Sequence, residues 1–273
     1  MRLNKLSMLV GLTACLAAPA WAQHWSENFL SLSYGNRFAE PAIADKIAKE
    51  TLTFTHISGD SLGKNFISAA VLMSDDKDPP SGGGGGAREF YGVFERDFSI
   101  GKMTGNKTGY GFAKDIYLAA RLDLQTKNID LAPRATKLRL GVGADLPVSA
   151  GFWNAGLQLW KEKNHNGIII PGFKPTGTDV NFKVAPVLTS AWLIPVGGVG
   201  TFEGWADFVG AKGKNGFGVD TKAESHVVAS FMFNVGGRES GLKLGLGAEY
   251  WNNKYGEPGV KQTTPLLIAQ YKL

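Results

Sequence analysis

The chain has 273 residues, a formal net charge of +5, 44% hydrophobic residues and 11% aromatic ones. Such a small basic excess does not mark a nucleic-acid binder, and the length suits a single all-β domain without an internal boundary. The only cysteine is Cys15, so the chain beyond it needs no disulfide and suits an oxidising compartment.

The first 22 residues carry Arg2 and Lys5, an apolar run from Leu6 to Ala18, then Pro19 and the small-residue pattern Ala20, Trp21, Ala22. That layout predicts a cleavable signal peptide over 1–22 and a mature start at Gln23. Leu12 to Cys15 also imitates a lipoprotein processing site, but the apolar run continues past it to a better cleavage site. Loss of Arg2 and Lys5 takes the formal charge from +5 to +3. No later apolar stretch approaches the roughly 18 residues of a membrane helix, so any crossing of a membrane is made by strands.

From residue 23 onward a two-residue alternation recurs. Twelve strands are predicted, near 27–35, 50–57, 65–73, 87–100, 113–124, 134–145, 150–162, 179–194, 199–211, 224–235, 240–253 and 262–273. One of the clearest sets Leu242, Leu244, Leu246, Ala248 and Tyr250 on one face against Lys243, Gly245, Gly247, Glu249 and Trp251 on the other. Successive strand side chains point to opposite faces, so one face is oily and the other charged. Segments 65–73 and 179–194 alternate poorly, and Pro186 weakens the second. Long connections (36–49, 74–86, 164–177, 211–223) alternate with tight ones containing Pro147, Pro195 to Gly198, and Gly236 with Gly237. An even strand count, long loops at one end and short turns at the other describe an outer-membrane barrel in residues 23–273, with lipid outside and water inside. The connection 101–112 is long where a short turn is expected.

Several motifs lead nowhere. Gly82 to Gly86 is not followed by Lys and Ser or Thr, and reads as a flexible external loop. Gly59 to Lys64 is a turn. Asp75, Asp76 and Asp78 lack calcium-loop spacing and are expected to be solvated loop charges, so no metal or other cofactor is expected. Catalysis has little to work with: only His24, His56, His165 and His226 are available, there is no G-x-S-x-G, and no local His and Ser pattern points to an active site. His56 falls near the periplasmic rim, the wrong end for an enzyme acting on outer-leaflet lipid.

By parity the lumen receives Tyr91, Tyr117, Trp160, Trp205 and Trp251, together with Glu95, Asp97, Arg121, Asp123, Lys137, Arg139, Glu203, Asp207, Lys243 and Glu249. These side chains either pair with one another across the pore wall or hold a flat solute by stacking and hydrogen bonds, and parity alone favours neither. The densest run, Glu89 to Glu162, selects Tyr91, Glu95, Asp97, Tyr117, Arg121, Asp123, Arg139 and Trp160 as the candidate solute path, to which Lys243 and Glu249 are added by parity.

His24 to Pro41 (HWSENFLSLSYGNRFAEP), Phe54 to Asp60 (FTHISGD), Gly85 to Glu95 (GGAREFYGVFE), Phe98 to Thr104 (FSIGKMT), Leu140 to Asp145 (LGVGAD) and Glu249 to Gly256 (EYWNNKYG) resemble the nucleoside-specific, Tsx-like channel family of bacterial outer-membrane proteins. The resemblance implies a narrow, monomeric twelve-stranded barrel passing nucleosides. The chain departs from it at Thr55 and Lys64, where acidic residues are expected, and at the terminal Leu273, where Phe is usual. The expectation is a passive channel for nucleosides or similar small flat polar solutes, with membrane lipid and the barrel-assembly machinery as its other partners. The rivals are a structural or adhesive barrel with a plugged lumen and a lipid hydrolase.

Overall fold

A computed structural model describes residues 23–106, 108–165 and 179–273, so the predicted signal peptide lies outside the described residues. Thirteen strands make one antiparallel sheet: β1 (Gln23–Phe38), β2 (Ile47–Asp60), β3 (Gly63–Ser74), β4 (Arg88–Ser99), β5 (Asp115–Lys127), β6 (Arg134–Asp145), β7 (Phe152–His165), β8 (Asp179–Asn181), β9 (Ala185–Val196), β10 (Gly200–Val209), β11 (Glu224–Asn234), β12 (Leu242–Asn252) and β13 (Lys261–Lys272). Neighbours in sequence are neighbours in space, β7 pairs with β9, and β13 returns to β1. The result is a closed twelve-strand barrel, as expected, in which every long strand is paired on both sides. β8 is a three-residue addition to the end of β7.

The predicted strand 179–194 is therefore two, broken at Phe182 to Val184. Pro186 is accommodated because it is the second residue of β9, where its carbonyl still accepts from Gly210 N at 2.8 Å and little is lost with the missing N–H. β3 forms fully despite its weak alternation, since both of its neighbours pair with it along its whole length.

Side-chain parity divides the wall as the alternation requires. Leu118, Leu140, Val142, Leu157, Leu159, Leu188, Leu246 and Leu267 are exposed on the outer face, while their chain neighbours point inward. Aromatic residues gather at both ends of this apolar band. Phe98, Trp153, Trp192, Phe202, Phe233 and Tyr271 ring the short-turn end, and Tyr34, Phe90, Phe208 and Tyr250 the long-loop end. Phe90 and Phe98 stand eight residues apart on β4, about 26 Å along the strand at ~3.3 Å per residue. Nine residues from one ring to the other is the span of a strand that crosses a membrane at a tilt.

Inward glycines make room for large inward side chains on the next strand. A Cβ at Gly143 would lie 2.3 Å from the Tyr117 ring, and one at Gly245 would lie 2.0 Å from Met232 Sδ. The long connection between β4 and β5 is compact because it contains a short helix, α1 (Ile100–Thr104). Ser99 Oγ caps it by accepting from Lys102 N at 2.9 Å, Asp115 Oδ1 accepts from Gly101 N at 2.9 Å, and Gly105 ends it with φ of 74°.

Leu246 stands in the middle of β12, and Leu244 two residues nearer the short-turn end. Arg facing lipid costs about 2–4 kcal/mol at mid-depth and about 0–1 near the interface. Leu246→Arg is expected to reduce the heat-modifiable folded band more than Leu244→Arg does, and inward Lys243→Leu least. Equal losses for Leu246→Arg and Lys243→Leu refute the assigned faces.

Candidate functional site

Inside the barrel the inward charges form three levels. At the long-loop end, Lys49 on β2 meets Glu40 at 2.5 Å, and Lys127 on β5 meets Asp78 at 2.8 Å. Lys254, from the β12–β13 connection, reaches Glu40 at 3.2 Å, Ala39 O at 2.9 Å and Gln262 Oε1 at 3.0 Å. All of these side chains are buried, so three connections are folded inward and tied to the wall. Across the mouth Lys212 joins Glu162 at 2.8 Å and Glu224 at 3.6 Å. Asp78 was expected among solvated loop charges, and that expectation is corrected: it is almost wholly buried and also accepts from Ser74 Oγ at 2.7 Å.

The middle level holds most of the candidate solute path. Asp123 accepts from Tyr91 Oη at 2.6 Å and from Arg121 Nε at 2.7 Å, and Arg121 extends to Glu95 at 3.4 Å. Arg139 Nη2 donates to Asp207 Oδ2 at 2.7 Å, while Asp123 lies 3.8 Å from it. Because β6 and β10 are three ladder steps apart, about 14 Å around the wall, this bond is a chord through the lumen. The Arg139 guanidinium rests over the Trp160 ring at 4.3 Å, with Lys137 and Lys212 at 5.3 and 5.5 Å from the same ring.

Towards the short-turn end, Lys64 binds Asp145 at 2.7 Å and lies 5.0 Å over the Tyr117 ring, beside buried Asp97. On the opposite wall Lys243 donates to Thr201 Oγ1 at 3.1 Å and stands 4.0 Å from Glu203. Higher on the same wall, towards the long-loop end, Glu249 accepts from Trp251 Nε1 at 2.6 Å and lies 3.1 Å from His226 Nε2, whose ring stacks on Trp251 with centroids 3.5 Å apart.

The structure thus brings Tyr91, Glu95, Arg121, Asp123, Arg139 and Trp160 into one contact network. Asp97 and Tyr117 lie below it, and Lys243 and Glu249 belong to separate contacts on the far wall. The Tyr117 and Trp160 rings are each only 4% exposed, so their faces are covered by cationic side chains and wall atoms. Trp205 differs. Its neighbours at 203 and 207 point inward with it, its ring meets His226 edge-on at 4.4 Å, and 36% of the residue remains exposed to the lumen. Trp205 and Asp207 carried the inward parity but stood outside the densest run. His226 lies on the inward face of β11, where parity could have found it.

No family model matches the sequence, and no curated protein matches it. Among solved structures the chain is similar to the β-domain of a Bordetella autotransporter, at 11% identity and a TM-score of 0.44 over 90% of this chain and 98% of that one. The translocator domain of the autotransporter NalP from Neisseria meningitidis is 10% identical at a TM-score of 0.44, over 98% and 95%. Pseudomonas aeruginosa OccK10 is 11% identical at 0.31, over 91% and 98%. At these identities the likeness is one of barrel architecture.

Glu40 tests the mouth. Burial pushes its carboxyl up, but Lys254, Lys49 and Lys127 together outweigh burial and hold it well below its ordinary 4.5. A depressed value contributes stability that is complete above the unfolded value, begins to fall below it and is lost only as pH drops through the folded one. Glu40→Gln leaves buried ammonium groups under-paired and is expected to cost on the order of 3 kcal/mol. In wild type, limited proteolysis of the mouth connections should increase only well below pH 4.5, whereas the variant should be cleaved already at neutral pH. Equal resistance of the two proteins at neutral pH refutes the assigned role.

Proposed function

We propose that this protein is a passive, solute-biased diffusion channel of the bacterial outer membrane, most suited to nucleosides or similar small flat polar solutes. The observation that carries the reading is the division of the closed wall: an apolar outer band between two aromatic rings, and an inner face of charges with one open indole, Trp205. The long connections then face outward and the short turns face the periplasm. The barrel works as a monomer without cofactor or energy coupling, is bathed in lipid, and is inserted by the barrel-assembly machinery. It performs no catalysis. The Tsx-like resemblance supplies the nucleoside; an exposed aromatic face beside alternating donors and acceptors supplies a physical reason for it, because stacking contributes about 1–3 kcal/mol whichever base is present.

A second reading has its own support. The lumen is crossed by ion pairs at two levels, Lys127 with Glu40 and Arg139 with Asp207, which favours a structural barrel that does not conduct. Single-channel recording in planar bilayers separates the two. The channel reading expects ion current that adenosine or thymidine blocks in a concentration-dependent way, and glucose or serine blocks less. Trp205→Ala is expected to weaken that block about tenfold, the equivalent of ~1.4 kcal/mol, while Tyr117→Ala, whose ring is covered, changes it little. Absence of current in folded protein gives the structural reading; current indifferent to nucleosides retains the channel and removes the nucleoside.

A further inference from the structure

The chord between Arg139 and Asp207 is poorly satisfied for so buried a pair. Arg139 is 2% exposed, yet its Nε and Nη1 make no hydrogen bond, and neither does Asp207 Oδ1. A buried donor without a partner is destabilising, more so when charged, and whatever occupies the lumen there recovers that loss. Trp205 stands two residues from Asp207 on the same inward face of β10, about 7 Å towards the short-turn end. A flat solute stacked on the open indole therefore places its edge at the level of the chord. Trp160, directly opposite Arg139 in the register, holds the guanidinium flat against its own wall.

We propose that the Arg139–Asp207 ion pair is the bar that closes the lumen, and that a solute stacked on Trp205 opens it by giving Arg139 an acceptor and Asp207 a donor. This rests on the channel reading. The exchange needs a neutral solute with donor and acceptor on adjacent atoms, an amide-type edge. An anion satisfies Arg139 but leaves the Asp207 carboxylate unpaired and repelled. Arg139 and Asp207 are thus specificity-determining as well as closing.

The experiment is single-channel recording of wild type, Asp207→Asn, Arg139→Met and the double variant, with uracil and orotate as probes that share a ring and differ by one carboxylate. Each single variant is expected to raise conductance severalfold and the double variant no further, since each abolishes the same ion pair, Asp207→Asn by removing its negative charge and Arg139→Met its positive one. Uracil is expected to block wild type more strongly than orotate, and that preference to vanish in Asp207→Asn. Conductance unchanged in the single variants, or rises that add in the double, overturns the bar. Equal block by the two probes in wild type overturns the exchange and leaves only water at the free guanidinium nitrogens. Silence of wild type and every folded variant fails the channel reading itself. Folding is read from the heat-modifiable band, and if Asp207→Asn does not fold, Arg139→Met, which keeps side-chain length over Trp160, carries the comparison.

Discussion

Closure of the sheet is the constraint on which everything else in this molecule depends. A strand with an unpaired edge has nowhere to place its N–H and C=O groups in an apolar medium, so β13 must return to β1. Once twelve strands close, alternate residues are forced into one narrow interior, whatever their chemistry. The inner face of β4 to β6 carries carboxylates, guanidiniums, ammoniums and phenols, and the barrel is too narrow to leave each in its own water. They pair. Glycines such as Gly143 and Gly245 are the complementary consequence, because large inward residues on one strand need bare backbone on the next.

The same closure explains why the mouth is built from ions and not from an apolar plug. The connections 39–46, 75–87 and 253–260 fold inward over a wall whose last inward charges are Lys49, Glu89 and Lys127. Glu40 and Asp78 supply the missing negative charge from two connections, and Lys254 closes the set from a third. A cluster with several ammoniums sharing several carboxylates keeps each charge compensated even when one partner moves, which a single buried pair does not.

Strand positions and faces were legible in the sequence because period-two alternation is a local property. Leu242 to Trp251 shows both faces without reference to anything else in the chain. Contacts that join distant residues were not legible. Arg139 and Asp207 are 68 residues apart, and Lys254 and Ala39 are 215 apart. Parity placed Arg139 and Asp207 in the lumen, but whether they face each other depends on strand stagger and barrel width. Asp78 looked like a solvated loop residue because its burial is caused by Lys49 and Lys127 on other strands. Density of inward aromatics likewise pointed to Tyr117 and Trp160, when the exposed ring is Trp205. Covering a ring is a tertiary event, and the lysines that cover these two come from β3, β6 and the β10–β11 connection.

What fills a narrow barrel also decides what it can do. Replacing buried ion pairs by well-packed apolar side chains is often neutral or stabilising, so stability alone does not explain a lumen of charges. An apolar filling is close-packed, and opening a path through it forfeits contacts on every side at once. A filling of paired ions opens by exchange, one hydrogen bond traded for another of similar strength, provided that the incoming group presents the matching donor and acceptor. Arg139, with two nitrogens still free and a flat aromatic surface to rest on, is the residue of the middle level best arranged for such a trade. The paired lumen and the selective channel are then one arrangement: the contacts that close the barrel to water are those a suitable solute replaces.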